Sequence, residues 1–263
     1  MGDVRAVAIR FADLWAVDEH RMVDEIYAPA IRMEGMAAPG RRVDGLDELH
    51  ALEAELAKRV PEHRHELVRV LVAGRAAFLE TTVVSQATRE YAQAAVWWDL
   101  DDTDRVVAEI GYFDWALRTT DSRRSRGTVP PDDQRSRGPG EWYAAFVERL
   151  VAELRADPGA TLERWCAADC AADVIGRGAF AGVAAVRAAA VGAVASLPGA
   201  TVEVLRVLAE GGVVAVLVRL RSGYRSTRGT VVLTLDGDDR VVGARLYLDW
   251  SKAQADVDAE APA

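Results

Sequence analysis

Lysine is nearly missing from this chain. Lys58 and Lys252 are the only two, and the formal net charge is −9. A general nucleic-acid binder needs a basic surface to neutralise phosphates, so that class is excluded. Cysteine is also scarce. Cys166 and Cys170 lie in WCAADCAAD, a spacing that puts both on one face of a helix and reads as a pair of buried free thiols. All four histidines (His20, His50, His63 and His65) fall in the first half of the chain, so no histidine lies near the cysteines to complete a metal site. There is no glycine-rich phosphate loop and no Ser-His-Asp or Cys-His arrangement. No metal and no cofactor are expected.

Although 50% of the residues are hydrophobic, no apolar run reaches membrane-spanning length. The opening MGDVRAVAIRFADLW has no basic stretch leading into an apolar one, and Ala6 stands where a myristoylation signal has Ser or Thr. A globular cytoplasmic protein is expected, without membrane or nucleic-acid partners.

What the sequence does contain is a duplication. Arg105–Trp115 reads RVVAEIGYFDW and Arg240–Trp250 reads RVVGARLYLDW, with six of eleven positions identical. Each copy follows a short acidic turn (Asp101, Asp102 and Asp104; Asp236, Asp238 and Asp239). Upstream, Arg69–Gly74 (RVLVAG) aligns with Arg206–Gly211 (RVLAEG), and Gly45 aligns with Gly182. The spacing of 135 residues between the copies is far too long for a solenoid and marks two whole domains. The expected organisation is a first domain at 1–118, a linker at 119–140, a second domain at 141–253 and a tail at 254–263. The linker segment holds three prolines, five arginines and almost nothing apolar.

Each half starts with helical patterning and finishes with strands. In the first half, Val7, Phe11, Leu14 and Trp15 recur at helical spacing, Met22, Ile26 and Tyr27 carry a second short helix, and Leu46–Val60 forms a third. Strands follow over His65–Val72, Ala76–Ser85, Tyr91–Leu100 and Val106–Trp115, with a hairpin at the acidic turn. The second half repeats the order, with helices over Glu141–Leu154, Leu162–Cys166 and Val183–Ser196. Its strands are Val202–Leu208, Val213–Arg221, Thr230–Leu235 and Val241–Asp249. Helices first and an antiparallel sheet last imply an α+β domain with helices on one sheet face.

This order, with Tyr27-Ala-Pro before the first strand, Gly45 opening the third helix and the closing Tyr112-Phe-Asp-Trp, resembles the SnoaL-like branch of the nuclear transport factor 2-like superfamily. The resemblance covers most of both halves. It implies a tandem, pseudo-dimeric duplication of a cone-shaped α+β barrel, three helices packed on a curved sheet that wraps a pocket. Members include polyketide cyclases, ketosteroid isomerases, limonene-type epoxide hydrolases and pockets with no chemistry, so fold alone does not select an activity. Aligned with the epoxide-hydrolase pattern, Glu80 and Thr82 stand where that branch keeps a pocket arginine and aspartate, and Gly111 where it keeps a second aspartate. All three positions are altered, which argues against that chemistry.

The duplicated strand orients itself. In the second copy Val242, Ala244, Leu246, Leu248 and Trp250 form an apolar set, and Val241, Gly243, Arg245, Tyr247 and Asp249 a mixed one. The apolar set should be the covered face. Its counterpart in the first copy is Val107, Glu109, Gly111, Phe113 and Trp115. Glu109 is therefore expected to be a carboxylate facing the pocket, with a pKa raised by desolvation. Asp114 and Asp249 lie on the other parity and read as structural. Glu80 is expected to be a partner acid, with Met33, Phe78, Thr82, Tyr91, Trp97 and Phe113 as walls. His50 reads as exposed, and His63 and His65 as a solvated strand edge. Together these residues point to cofactor-independent acid–base chemistry on a small hydrophobic metabolite, the alternative being a non-catalytic binding protein. The counterparts of Glu80 and Glu109 in the second half are Leu217 and Ala244, so chemistry is expected in the first domain only. The second domain reads as a packing partner in an intramolecular pseudo-dimer, with a further homodimer as the open alternative.

Overall fold

A computed structural model describes the chain except for residues 1–2, 36–41, 89, 114–117, 120–139, 176–177, 196–198, 223–224 and 249–263. The expected linker and tail, and Asp114, Trp115, Asp249 and Trp250, lie outside the described residues, bar Thr119 and Gly140. Two units are present, Met1–Arg123 and Arg124–Ala263.

In the first unit, α1 (Val4–Trp15) and α2 (Glu19–Ile26) each start on an aspartate, Asp3 and Asp18, whose side chain accepts a backbone N–H of the first turn. β1 (Tyr27–Gly35) follows α2 without a loop, so Tyr27, expected at the end of a helix, instead starts a strand. β2 (Arg42–Asp44) leads to α3 (Leu46–Arg59) through Gly45. There φ is +88°, and the glycine N–H donates to the Ile31 carbonyl at 2.8 Å. Gly182 repeats this with φ +81° and a 2.8 Å bond to the Cys170 carbonyl, which explains the shared glycine. The strands β3 (His63–Ala73), β4 (Ala76–Ser85), β5 (Glu90–Leu100), β6 (Val106–Phe113) and the short β7 (Arg118–Thr119) complete the unit. The sheet order is β2-β1-β6-β5-β4-β3, with β7 on β5.

β3 to β6 are antiparallel, as expected, whereas β1 runs parallel to β6. The acidic turn closes the β5–β6 hairpin. Asp101 Oδ1 accepts from the N–H of Thr103 and of Arg105, and Asp104 takes a left-handed φ of 65°. Asp236 and Asp239 repeat the device, a three-residue loop ending in the left-handed region.

The second unit contains α4 (Gly140–Ala156), α5 (Pro158–Trp165), β8 (Cys166–Val174), β9 (Gly178–Ala181), α6 (Val183–Ala195), β10 (Thr201–Glu210), β11 (Val213–Ser222), β12 (Arg225–Leu235) and β13 (Val241–Leu248). Its sheet order, β10-β11-β12-β13-β8-β9, matches the first unit's, again with one parallel pairing, β13 with β8. The cysteines therefore sit on a strand and not on a helix. Both are buried free thiols, as expected. No helix among the described residues is long and apolar enough to cross a membrane.

One helix-covered core lies in each unit. The first joins Phe11, Trp15, Met22, Ile26, Leu49, Leu52 and Leu56 from the helices to Ala77, Leu79, Val83, Ala92 and Trp98 from the sheet. That cluster identifies which sheet face the helices cover.

Candidate active site

The expected strand parity holds for Glu109 but not for the whole set. A β-bulge breaks the register between Asp99 and Leu100, pairing Leu100 with Val106 and Asp99 with Ala108. Val107 is the extra residue, so Val106 enters the core with no exposure while Val107 does not. The second copy is bulged in the same place and buries Val241 in the core in place of Val242. Its mixed set is covered as well, Arg245 and Tyr247 being buried at 5% and 0% exposure.

Past the bulge, Glu109 lies opposite Trp98 on β5 and beside Met33 on β1, and both of these belong to the helix-covered core. Tyr27 Oη and Trp98 Nε1 each donate to Glu109 Oε2, both at 2.8 Å. Burial pushes the Glu109 pKa up to about 7, and the two donated bonds hold it from rising further. Gly111, two residues along on the same face, leaves space beside the other oxygen. A Cβ there would lie 3.2 Å from Glu109 Oε1.

A second carboxylate enters from the helices. Glu53 on α3 is buried and accepts a 2.6 Å bond from Trp15 Nε1 at the end of α1. Desolvation first, and the nearby Glu109 charge second, push its pKa up to about 8. Tyr27 is affected by both carboxylates, its pKa rising well above the usual phenol value through burial, then through the charges of Glu109 and Glu53. Phe11 bridges the group, packing edge-on against Trp98 at 5.2 Å and against His65 at 5.0 Å. His63 and His65 are partly buried on the core side beside Trp15, not on a solvated edge. His63 Nδ1 bonds the Val60 carbonyl and His65 Nδ1 bonds Thr81 Oγ1. Burial lowers both imidazole pKa values, that of His65 strongly.

The structure does not bring Glu80 to Glu109. Glu80 pairs with Ala95, which pairs with Tyr112, and these belong to the face opposite Glu109. There Glu80, with no exposure, lies 3.6 Å from the Arg69 guanidinium. Phe78, Thr82, Tyr91 and Trp97 share that face, all buried, with Phe78 and Trp97 in ring contact at 5.0 Å. Of the expected walls whose side chains are described, only Met33 stands beside Glu109. The side chain of Phe113 lies outside the described residues. On β4 the residues that face the helices are Ala77, Leu79, Thr81 and Val83, so Glu80, the position aligned with the epoxide-hydrolase arginine, points away from them.

The second unit is a built-in control, because register pairs its positions with the first. Ala244 replaces Glu109, and Leu233 across from it replaces Trp98. Cys166 opposite Val241 replaces Tyr27 opposite Val106. By the same registers Val218 replaces Thr81 and Val202 replaces His65. Ala190, eight residues past Gly182, replaces Glu53, eight past Gly45, and Leu246 fills the place of Gly111. The polar interior is therefore not something the fold requires. It belongs to the first unit.

Two helices leading straight into a strand, a glycine-capped third helix, four long antiparallel strands and a parallel closure of first strand on last occur in both units. Both units therefore share one α+β architecture. Similar solved structures each cover less than half of this chain. A SnoaL-like family protein from Agrobacterium tumefaciens, provisionally assigned as an isomerase, is 16% identical at TM-score 0.36, covering 41% of this chain and 95% of its own. A provisionally assigned SnoaL-like polyketide cyclase from Jannaschia sp. CCS1 is 15% identical at TM-score 0.38, over 49% and 93% of the two chains. An LEH-like epoxide hydrolase from M. tuberculosis is 18% identical at TM-score 0.35, over 42% and 82%. No family profile and no curated protein sequence matches the chain. Of the two units, the one with Glu109 and Glu53 carries the candidate chemistry. Glu53 is not among the residues expected from the sequence, although it lies four residues after Leu49 and three before Leu56, on the apolar stripe of α3.

Proposed function

We propose that the first unit is a cofactor-independent acid–base catalyst of the cyclase, isomerase or epoxide-opening type, acting on a small, mostly apolar metabolite. The observation that supports this most directly is the state of Glu109. It is buried with a pKa of about 7, and its hydrogen-bond partners are a phenol and an indole, not an arginine. A carboxylate neutralised by a guanidinium is a poor base, whereas one held by neutral donors near pH 7 exchanges protons readily.

Glu109 and Glu53 have different roles because their environments separate them. Glu109 ionises first, and its charge then holds Glu53 protonated. Near neutral pH, Glu109 takes a proton from an acidic C–H or O–H of the ligand. Tyr27 and Trp98 keep one carboxylate oxygen fixed, leaving Oε1, on the side of Gly111, to act as base. Glu53, oriented by Trp15, supplies a proton to a developing oxyanion or leaving oxygen. In an isomerisation, Glu109 returns its own proton at a second carbon and no net proton is exchanged.

The test is turnover of a panel of small cyclic ketones, polyketide-like β-dicarbonyls and epoxides by wild type, Glu109→Gln and Glu53→Gln. Removing a general base or acid costs roughly a hundredfold or more, so wild-type turnover should fall by that factor in each variant. Equal activity in Glu109→Gln would overturn the proposal.

A further inference from the structure

A second cluster lies outside this interior, where α2 meets α3. His20 on α2 and His50 on α3 place their Nδ1 atoms 3.0 Å apart, with ring centroids 4.9 Å apart and planes 28° from parallel. On its other side, His50 Nε2 lies 3.0 Å from Asp24 Oδ1. We propose that His20 and His50 form a binding site for a divalent transition-metal ion of the zinc or nickel type, with Asp24 orienting His50.

The geometry carries this in three steps. Imidazole nitrogens bind such ions at ~2.1 Å, so two of them stand about 3.0 Å apart in adjacent positions of an octahedral ion and about 3.4 Å apart around a tetrahedral one. The observed separation is the octahedral spacing, and without an ion the two rings share it as an N–H···N hydrogen bond. Next, His50 Nε2–H donates to the Asp24 carboxylate, which leaves the His50 Nδ1 lone pair available. A carboxylate behind a ligating histidine fixes its tautomer and raises its basicity. Finally, His20 is exposed, so water can satisfy its Nε2–H once Nδ1 binds the ion. The backbone is fixed beneath the pair, since Met22 and Val23 on α2 and Leu49 on α3 are fully buried in one core. Among the described residues no group of three or more His, Cys, Asp or Glu is placed to hold a metal ion, so the site has two protein ligands, Asp24 stands behind His50, and water fills the remaining positions.

The experiment is a calorimetric titration of the full, tag-free chain with Zn²⁺ and with Ni²⁺. Histidine ring ¹H–¹⁵N correlation spectra are recorded in parallel, and Mg²⁺ serves as the hard-ion control. The expected result is one saturable equivalent of Zn²⁺ or Ni²⁺ and none of Mg²⁺, with Nδ1 shifts confined to His20 and His50. Asp24→Asn should weaken binding by roughly tenfold or more, and His20→Gln or His50→Gln should abolish it. Circular dichroism checks that these surface variants stay folded. No saturable binding, or binding retained in the double His20→Gln, His50→Gln variant, would overturn the site.

Discussion

Replacing Glu109 by Gln should change stability in opposite ways at two pH values. In the folded state Glu109 holds its proton up to about pH 7, while the unfolded carboxyl releases it near its ordinary value of 4.5. Its folded pKa is raised, so the unfolded state binds fewer protons between those values. The stability that Glu109 contributes is therefore fully present at pH 4 and is lost as pH rises through 4.5 to 7. A gap of two to three units at about 1.4 kcal/mol each makes the Glu109 contribution about 3 kcal/mol. Gln keeps a carbonyl for Tyr27 and Trp98 but never ionises. Glu109→Gln should thus be near neutral or mildly destabilising at pH 5 and more stable than wild type at pH 8.5, a swing of about 3 kcal/mol. Amide hydrogen exchange over β5 and β6, corrected for intrinsic pH dependence, reads this locally and separates the first unit from the second. A constant offset between the two proteins at both pH values would refute the reasoning.

Four further outcomes follow. Tyr27→Phe removes a donated bond that lowers the Glu109 pKa, so Glu109 should titrate higher in that variant, as read by carboxyl NMR. Gly111→Ala puts a methyl group 3.2 Å from Glu109 Oε1 and should lower turnover while leaving the melting temperature within a few degrees. Glu80→Ala strips a buried partner from Arg69 and should cost roughly 3–5 kcal/mol in denaturant unfolding. The Glu109 titration should not move in that variant, since the two residues lie on opposite faces. Gly229→Ala would bring a Cβ within 3.0 Å of the Tyr247 carbonyl, so a loss of about 1–3 kcal/mol is expected in the melting of the second unit.

The duplication was legible because it preserves local backbone devices. Gly45 and Gly182 hold a left-handed cap, and Asp101 and Asp236 tie the same hairpin. Glu109 was legible because it breaks an apolar alternation that its sister strand keeps. The partner was not, for two physical reasons. On β4 both parities are buried: Ala77, Leu79, Thr81 and Val83 on one face and Phe78, Glu80 and Thr82 on the other are at most 1% exposed. Alternation therefore gives no sign of which face the helices cover, and Glu80 was assigned to the wrong one. The bulge at Val107 is likewise invisible in a run of valines, yet it decides which of Val106 and Val107 enters the core. Glu53 could have been found from the 3.6-residue period of α3. Tyr27 could not, because its role depends on a parallel strand pairing that brings together residues 82 apart in sequence.

The central claim is that Glu109 is a buried, near-neutral carboxyl in the first unit. The direct measurement is a ¹³C NMR titration of glutamate side-chain carboxyls, assigned with Glu109→Gln and Glu53→Gln. The account predicts one carboxyl titrating at about 7 and a second at about 8, both assigned to these residues. A Glu109 that titrates near 4.5 with the exposed glutamates would contradict it.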